Sequence, residues 1–261
     1  MKNLSGLFLA TIIIGSLFFL ESCKKGEEDP FISLLSRKAR VTGEWTIQTN
    51  NRSTTTLQTG GSTTIEDFVI NGTNIDITTE WKNSSYDTTI TIGASEDGGT
   101  VNIASIKFEK DGTYSYQLKY QLIDENDYEL SDVWSRTITI TTDVDIEVKG
   151  TWNFLGSVEK DYKNKERIAI VYQRERTTTT ITTRTLDEIS GIEQTPVTTT
   201  DKTDYLNEYA NGELSVVLEI IMLKNKEIKF FRDINNYYKY DDGTSGGSTK
   251  EVGTETLVIK Q

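Results

Sequence analysis

Three features of this chain predict an all-β fold. Threonine is in excess, at 39 of 261 residues, while only 2 prolines occur. Several stretches alternate apolar and polar residues with period two, which marks antiparallel strands with one wet face. About ten strand-like segments, expected to be short, are separated by turn residues, the pattern of a barrel or a sandwich. Threonine, with Tyr, Ile and Val, suits a pleated, half-buried surface.

The elements follow in chain order. Met1-Lys2-Asn3 gives a positive start, and Leu4 to Leu20 is apolar apart from Ser, Gly and Thr. This describes a secretory signal. A membrane-spanning helix needs about 20 apolar residues, so length alone leaves an uncleaved anchor open. Phe31 to Ala39 is the expected helical turn. Ile75, Ile77, Thr79 and Trp81 alternate with polar residues, and so do Tyr114, Tyr116, Leu118, Tyr120 and Leu122. Lys110-Asp111-Gly112 stands before the second series and carries the Asp-Gly hairpin signal. Trp134, Arg136, Ile138 and Ile140 alternate likewise. Residues 167–172, RIAIVY, are apolar on both faces and predict a central strand. LSVVLEIIML and EIKFF flank Lys224-Asn225-Lys226 as another hairpin, DDGTSGGS (241–248) reads as a loop tip, and ETLVIKQ closes the chain. The Thr-rich stretches near 53–68 and 176–203 bury little, and are expected to extend sheets outward rather than carry core.

The single cysteine, Cys23, follows the apolar segment in Leu20-Glu21-Ser22-Cys23. This resembles the lipobox of bacterial lipoproteins, with an apolar residue three before the cysteine and a small one directly before. Glu21 departs from the usual uncharged residue. The resemblance implies that residues 1–22 are a signal, removed after Cys23 is acylated. Each buried methylene contributes about 0.8 kcal/mol, so about two or three acyl chains hold a protein on a membrane where one does not. Lys24, Lys25, Glu27, Glu28 and Asp29 resemble the acid-rich signal that sends lipoproteins of the Bacteroidota to the cell surface. A plain solvated tether and a periplasm-facing anchor are the alternatives. Residues 23–40 are then acylated tether and helical turn, and 41–261 the folded domain.

Composition narrows function. Removing residues 1–22 takes one Lys and one Glu, so the net charge of −12 is unchanged. Such a chain cannot neutralise a row of phosphates, which excludes nucleic acid as a partner. Histidine is absent, which removes Ser-His-Asp and Cys-His catalysis and His-ligated metals. No G-x-S-x-G, P-loop or dinucleotide fingerprint occurs. The expectation is a protein that is not an enzyme and carries no cofactor or metal. The acidic run DENDYE (124–129) lacks calcium-loop spacing and reads as a solvated turn. A carboxylate pair for glycoside hydrolysis cannot be singled out by sequence. Asp87-Thr88-Thr89 resembles the short O-glycan acceptor of Bacteroidota, with Thr88 as the acceptor.

Val41-Thr42-Gly43-Glu44-Trp45 and Val148-Lys149-Gly150-Thr151-Trp152 match as V-x-G-x-W, but the segments after them do not repeat. In order, G-x-W, IKFEKDGTYSYQL, VKGTWNF, ERIAIV and LEIIMLKNKEIKFF resemble the lipocalin-like lipoproteins of Bacteroidota. The likeness runs from Val41 to Gln261, with long Thr-rich insertions. It implies one antiparallel β-barrel of about eight core strands. In such a barrel Gly43 lets the chain approach closely at the floor and Trp45 plugs the closed end. Gly150 and Trp152 are expected to be structural in the same way. Trp81 and Trp134 either point into the barrel or stack on a ligand.

The expected function is binding: a small apolar or glycan ligand inside the barrel, or a macromolecule on its rim. A structural or adhesive protein with a filled barrel is the alternative, and a carboxylate-based glycan-active enzyme comes third. A cavity above about 300 Å³ with a few polar groups speaks for a ligand. Cys23→Ala should move the protein from the membrane fraction to the soluble fraction. A variant that still pellets with membranes means that the apolar N-terminus spans the bilayer.

Overall fold

The computed structural model describes residues 36–85, 88–155, 166–210, 212–241 and 246–261. The signal, Cys23, the tether and Asp87 lie outside them. Among the described residues one short helix, α1 (Arg37–Val41), precedes twelve strands. These are β1 (Gly43–Gln58), β2 (Ser62–Asn71), β3 (Asn74–Ser85), β4 (Thr88–Phe108), β5 (Thr113–Ser131) and β6 (Trp134–Leu155). There follow β7 (Glu166–Ile189), β8 (Ile192–Glu193), β9 (Val197–Glu208), β10 (Ser215–Leu223), β11 (Glu227–Asp241) and β12 (Gly246–Lys260). The protein is all-β.

The helix holds the last residues of the expected turn, Arg37 to Ala39, while Phe31 to Leu35 lie outside the described residues. Its start is set by Ser36, whose hydroxyl accepts from the Ala39 N–H at 3.2 Å. The strands are longer than expected, with 22 residues in β6 and 24 in β7. Wall strands and Thr-rich extensions are continuous, so sequence segments that read as separate short strands are the two ends of one. Residues 124–129 form extended backbone inside β5 and not a turn. The last residues of the expected loop tip, 246–248, belong to β12, and its first, Asp241, ends β11.

All pairings are antiparallel. The path β10-β11-β12-β1-β2-β3-β4-β5-β6-β7 closes where β10 pairs with β7, giving a ring of strands. A second, tighter closure exists at one end. There Gly43–Thr46 of β1 pairs directly with Ser105–Phe108 of β4. Beyond a bulge between Ile47 and Thr49, β1 leaves β4 and pairs with β2. The β2–β3 hairpin enters this fork, turn first. Gly72 N–H donates to the Gln48 carbonyl at 2.8 Å, and Val101 N–H to the Thr73 carbonyl at 2.7 Å.

The tight end is the core. Trp45, Phe108, Ile168, Ile220, Ile228, Phe230 and Ile259 are all essentially buried there. Phe108 packs edge-on against Trp152 at 5.3 Å and tilted against Phe230 at 6.3 Å. Each such side chain contributes about 1.5–3 kcal/mol by leaving water. Helix α1 packs at this end: Trp45 Nε1 donates to the Val41 carbonyl at 2.8 Å, and the Lys38 ammonium lies 5.9 Å from the Trp152 ring centroid. Arg40, buried, donates to the Leu223 carbonyl.

Both motif glycines stand where a side chain is disfavoured, Gly43 by its backbone angle and Gly150 by the backbone of the next strand. Gly43 has φ +144°, and a Cβ there would come 2.3 Å from the Gln261 amide nitrogen. A Cβ on Gly150 would come 2.2 Å from the Val171 carbonyl oxygen. Their tryptophans are 1% and 4% exposed.

At the other end the ring opens into two sheets. The β4–β5 pairing stops at Gly99 opposite Leu122, and the β7–β10 pairing at Val171 opposite Ser215. Past these points β5, β6, β7 and β9 continue as one extension, and β11, β12 and β1 to β4 as the other. Strand β9 is exposed throughout.

Trp45→Ala should cost about 3–5 kcal/mol in urea denaturation. Trp81→Ala, at a side chain 39% exposed, should stay within about 0.5 kcal/mol. Equal losses would contradict this division into inside and outside.

Candidate functional site

Residues opposite each other in register share a face, so the inward face can be followed along each strand. On β5 it carries Tyr114, Tyr116 and Leu118. On β11 it runs Ile228, Phe230, Arg232, and on β12 Ile259, Leu257, Glu255. On β1 it passes from Trp45 and Ile47 across the bulge to Asn50 and Arg52. The parity that builds the apolar floor therefore also carries charged groups inward, one layer higher.

Between floor and opening lies a cavity of about 220 Å³. Ile106, Leu118, Val148, Ile170, Leu218 and Leu257 form its apolar part. Tyr114, Tyr116, Tyr172 and Phe68 add aromatic wall, and Asn50, Arg52, Glu175, Arg232 and Glu255 form the polar side. The volume is below the 300 Å³ expected of a drug-sized site, yet the interior is not filled.

The polar side is paired in part, with Asn50 Oδ1 and the Nε atoms of Arg52 and Arg232 buried without a hydrogen bond. The Arg232 Nε and Glu255 Oε2 atoms are 2.6 Å apart, and Asn50 Nδ2 donates to Glu255 Oε1 at 2.9 Å. Arg52 donates to Glu251 Oε1 at 3.0 Å, and Asn236 Nδ2 to Glu251 Oε2 at 2.8 Å. Tyr209 Oη donates to Glu175 Oε2 at 3.0 Å. A partly buried pair of this kind holds geometry more than it adds stability.

Burial raises the pKa of the wall tyrosines, because a phenolate loses its hydration there. Tyr114 and Tyr116 are pushed well up, with nearby tyrosines and Glu255 adding to the effect. Tyr172 is pushed up to about 12 by burial, partly offset by Arg232. All three are neutral phenols at physiological pH, able to donate and to accept.

The structure places the other sequence-predicted residues elsewhere. Trp45 and Trp152 are in the floor and do not line the cavity. Trp81 and Trp134 lie on strand faces continuous with the interior, but out on the two extensions, 39% and 38% exposed. They are not packed inside the ring, because the strands that carry them have left it. Trp134 has the Arg136 guanidinium 5.5 Å from its ring centroid, and Arg136 pairs with Asp187 at 2.7 and 3.0 Å. Trp134 also borders a polar hollow of about 470 Å³ at the β5–β6 turn. That hollow is larger than the cavity but lies on a hairpin tip, where Leu130, Val133 and Trp134 are its only large apolar lining residues.

In the acidic run, Asp127 accepts from Thr137 at 2.6 Å and Asp124 from Asn126 at 2.8 Å. Among the described residues, no group of acidic, His or Cys side chains is arranged to hold a metal ion.

Sequence reading missed Arg52, Arg232 and Glu255. A signal existed for two of them. Arg232 continues Ile228-x-Phe230, and Glu255 precedes Leu257-x-Ile259, each a charge in an inward slot and of opposite sign.

No family model matches this chain, and no curated protein matches it.

The raised phenol pKa values fix a pH response. Below about pH 10 the phenols are protonated in both folded and unfolded chains. Between about 10 and 12 the unfolded chain releases these protons and the folded one retains them, so stability falls with rising pH. Denaturation midpoints should be flat from pH 7 to 9 and then decline, with a shallower decline in Tyr172→Phe. An unchanged slope in that variant would contradict the assignment.

Proposed function

We propose that this chain is a lipid-anchored outer-membrane surface protein whose ring is a lipocalin-like barrel that binds a small ligand without transforming it. The observation that carries this reading is the cavity: about 220 Å³, apolar below, polar on one side, inside a ring otherwise well packed. An apolar cavity of about 150 Å³ takes benzene, and drug-sized sites begin near 300 Å³. A molecule of one ring fits between these. The absence of histidine and the mutual pairing of the cavity's charges support binding rather than catalysis. The lipobox-like Leu20-to-Cys23 segment and acidic residues 27–29 support the anchor and surface display.

One observation favours a second, adhesive role. Strand β9 pairs with β7 alone among the described residues, and its whole length is exposed. A partner would meet this edge, whose last residues pair with β7 beside Glu175 of the cavity.

The test is a small-fragment screen by thermal shift on the full chain, repeated on Leu218→Trp, which fills the cavity. Ring-sized fragments should stabilise the parent and lose their effect in the variant. Fragments acting equally on both would refute the cavity as the binding site. Antibody labelling of intact cells should detect the protein; labelling only after permeabilisation would place it facing the periplasm.

A further inference from the structure

The reading of the cavity as a ligand site leaves the ligand's chemistry open, and the cavity wall narrows it. The inference rests on that reading.

Tyr114, Tyr116 and Tyr172 line the cavity together. Tyr114 is 4% exposed, and its ring stacks on that of Tyr172 at 6.4 Å. Tyr116 is two residues further along β5, on the same face. Among the described residues, none of the three hydroxyls has a hydrogen-bond partner. They are not among the fully enclosed unpartnered atoms, so each opens onto the cavity, where water or a ligand supplies its partner. A phenol offers one donor and acceptor capacity. Three such groups on one small cavity form a cluster that answers to a ligand able both to accept and to donate.

The charges narrow the class further. Arg232 is engaged with Glu255, Arg52 with Glu251, and Glu175 with Tyr209. The cavity lining holds two arginines and two glutamates. Each arginine thus stands against a carboxylate, which disfavours an anion, and Glu175, the lining carboxylate without a cation, already accepts from a phenol. A purely apolar molecule is disfavoured too, because it takes water from three hydroxyls and returns no bond. The aliphatic wall of Leu118, Val148, Ile170 and Leu218 meanwhile suits the C–H faces of a saturated ring.

The geometry points to a neutral, polyhydroxylated ring of monosaccharide size, its hydroxyls bonded to Tyr114, Tyr116 and Tyr172. This differs from an apolar cargo, and it needs neither of the exposed tryptophans.

The experiment is ligand-observed NMR on the full chain in a detergent without a sugar headgroup. The probes are the methyl glycosides of glucose, galactose, mannose and fucose, with toluene as the apolar comparison. At least one glycoside is expected to bind more tightly than toluene. The Tyr116→Phe/Tyr172→Phe double variant removes only two oxygens, and should weaken that glycoside at least tenfold while leaving toluene unchanged. Toluene binding without any glycoside overturns the inference and leaves the cavity as a ligand site. No binding by any probe overturns both. A glycoside that binds the double variant equally well also overturns the inference, since its site is then elsewhere. Should the variant fail to fold, the parent's preference between glycoside and toluene decides alone.

Discussion

Everything above the floor depends on the four residue pairs that join Gly43–Thr46 to Ser105–Phe108. Where that seam exists the ring is narrow, and side chains fill it: Trp45 and Ile106 stand opposite each other across it, both buried. Where the seam ends, the bulge at Ile47/Thr49 turns β1 away and the β2–β3 hairpin enters. The diameter of a closed sheet grows with its number of strands. Two added strands widen the ring within a few residues. The side chains available at the next level, Asn50, Arg52, Tyr116 and Tyr172, do not fill the added width. The cavity is thus a consequence of where β1 changes partner.

That change also explains why the cavity has a polar side. Inward slots on β1, β11 and β12 are apolar at the seam and charged one layer above it. Taking Arg232 and Glu255 partly out of water is repaid only by close pairing, and such pairs are at best neutral against well-packed apolar residues. A fold needing only stability would have continued with Ile or Leu. Glu255 instead bridges Arg232 and Asn50, and Glu251 bridges Arg52 and Asn236. These bridges hold β11, β12 and β1 in register at the mouth and set a carboxylate against each of its arginines.

How much of this was readable in advance varies with the kind of constraint. Period-two alternation is a local property, so the inward face of β5, the turn at Asp111-Gly112 and the β10–β11 hairpin were legible. RIAIVY read as central because it is apolar on both faces, and β7 does run between β6 and β10 there. The closure was not legible, since the pairing of β1 with both β4 and β12 joins segments far apart in the chain. The cavity was hidden for the same reason: Arg52, Tyr116, Tyr172 and Arg232 share a wall only after the ring has formed. Trp81 and Trp134 were placed on the right type of strand, but alternation says nothing about where along a strand the ring ends.

Strand β7 shows what the threonine excess is for. From Arg167 to Val171 it pairs with both β6 and β10, and Ile168 and Ile170 are buried. Beyond Val171 it leaves β10, and from Thr177 onward it runs between β6 and β9 with water on both faces. An apolar strand there would expose a sticky surface, and a highly charged one would repel its neighbours. Threonine keeps the β-branched geometry that holds the backbone extended while presenting a hydroxyl to water. Spaced charges then set the register between neighbouring strands, with Arg176 on Asp204 at 2.6 Å and Lys119 on Asp145 at 2.6 Å. The change in composition along a single strand therefore marks where the strand passes from wall to free sheet.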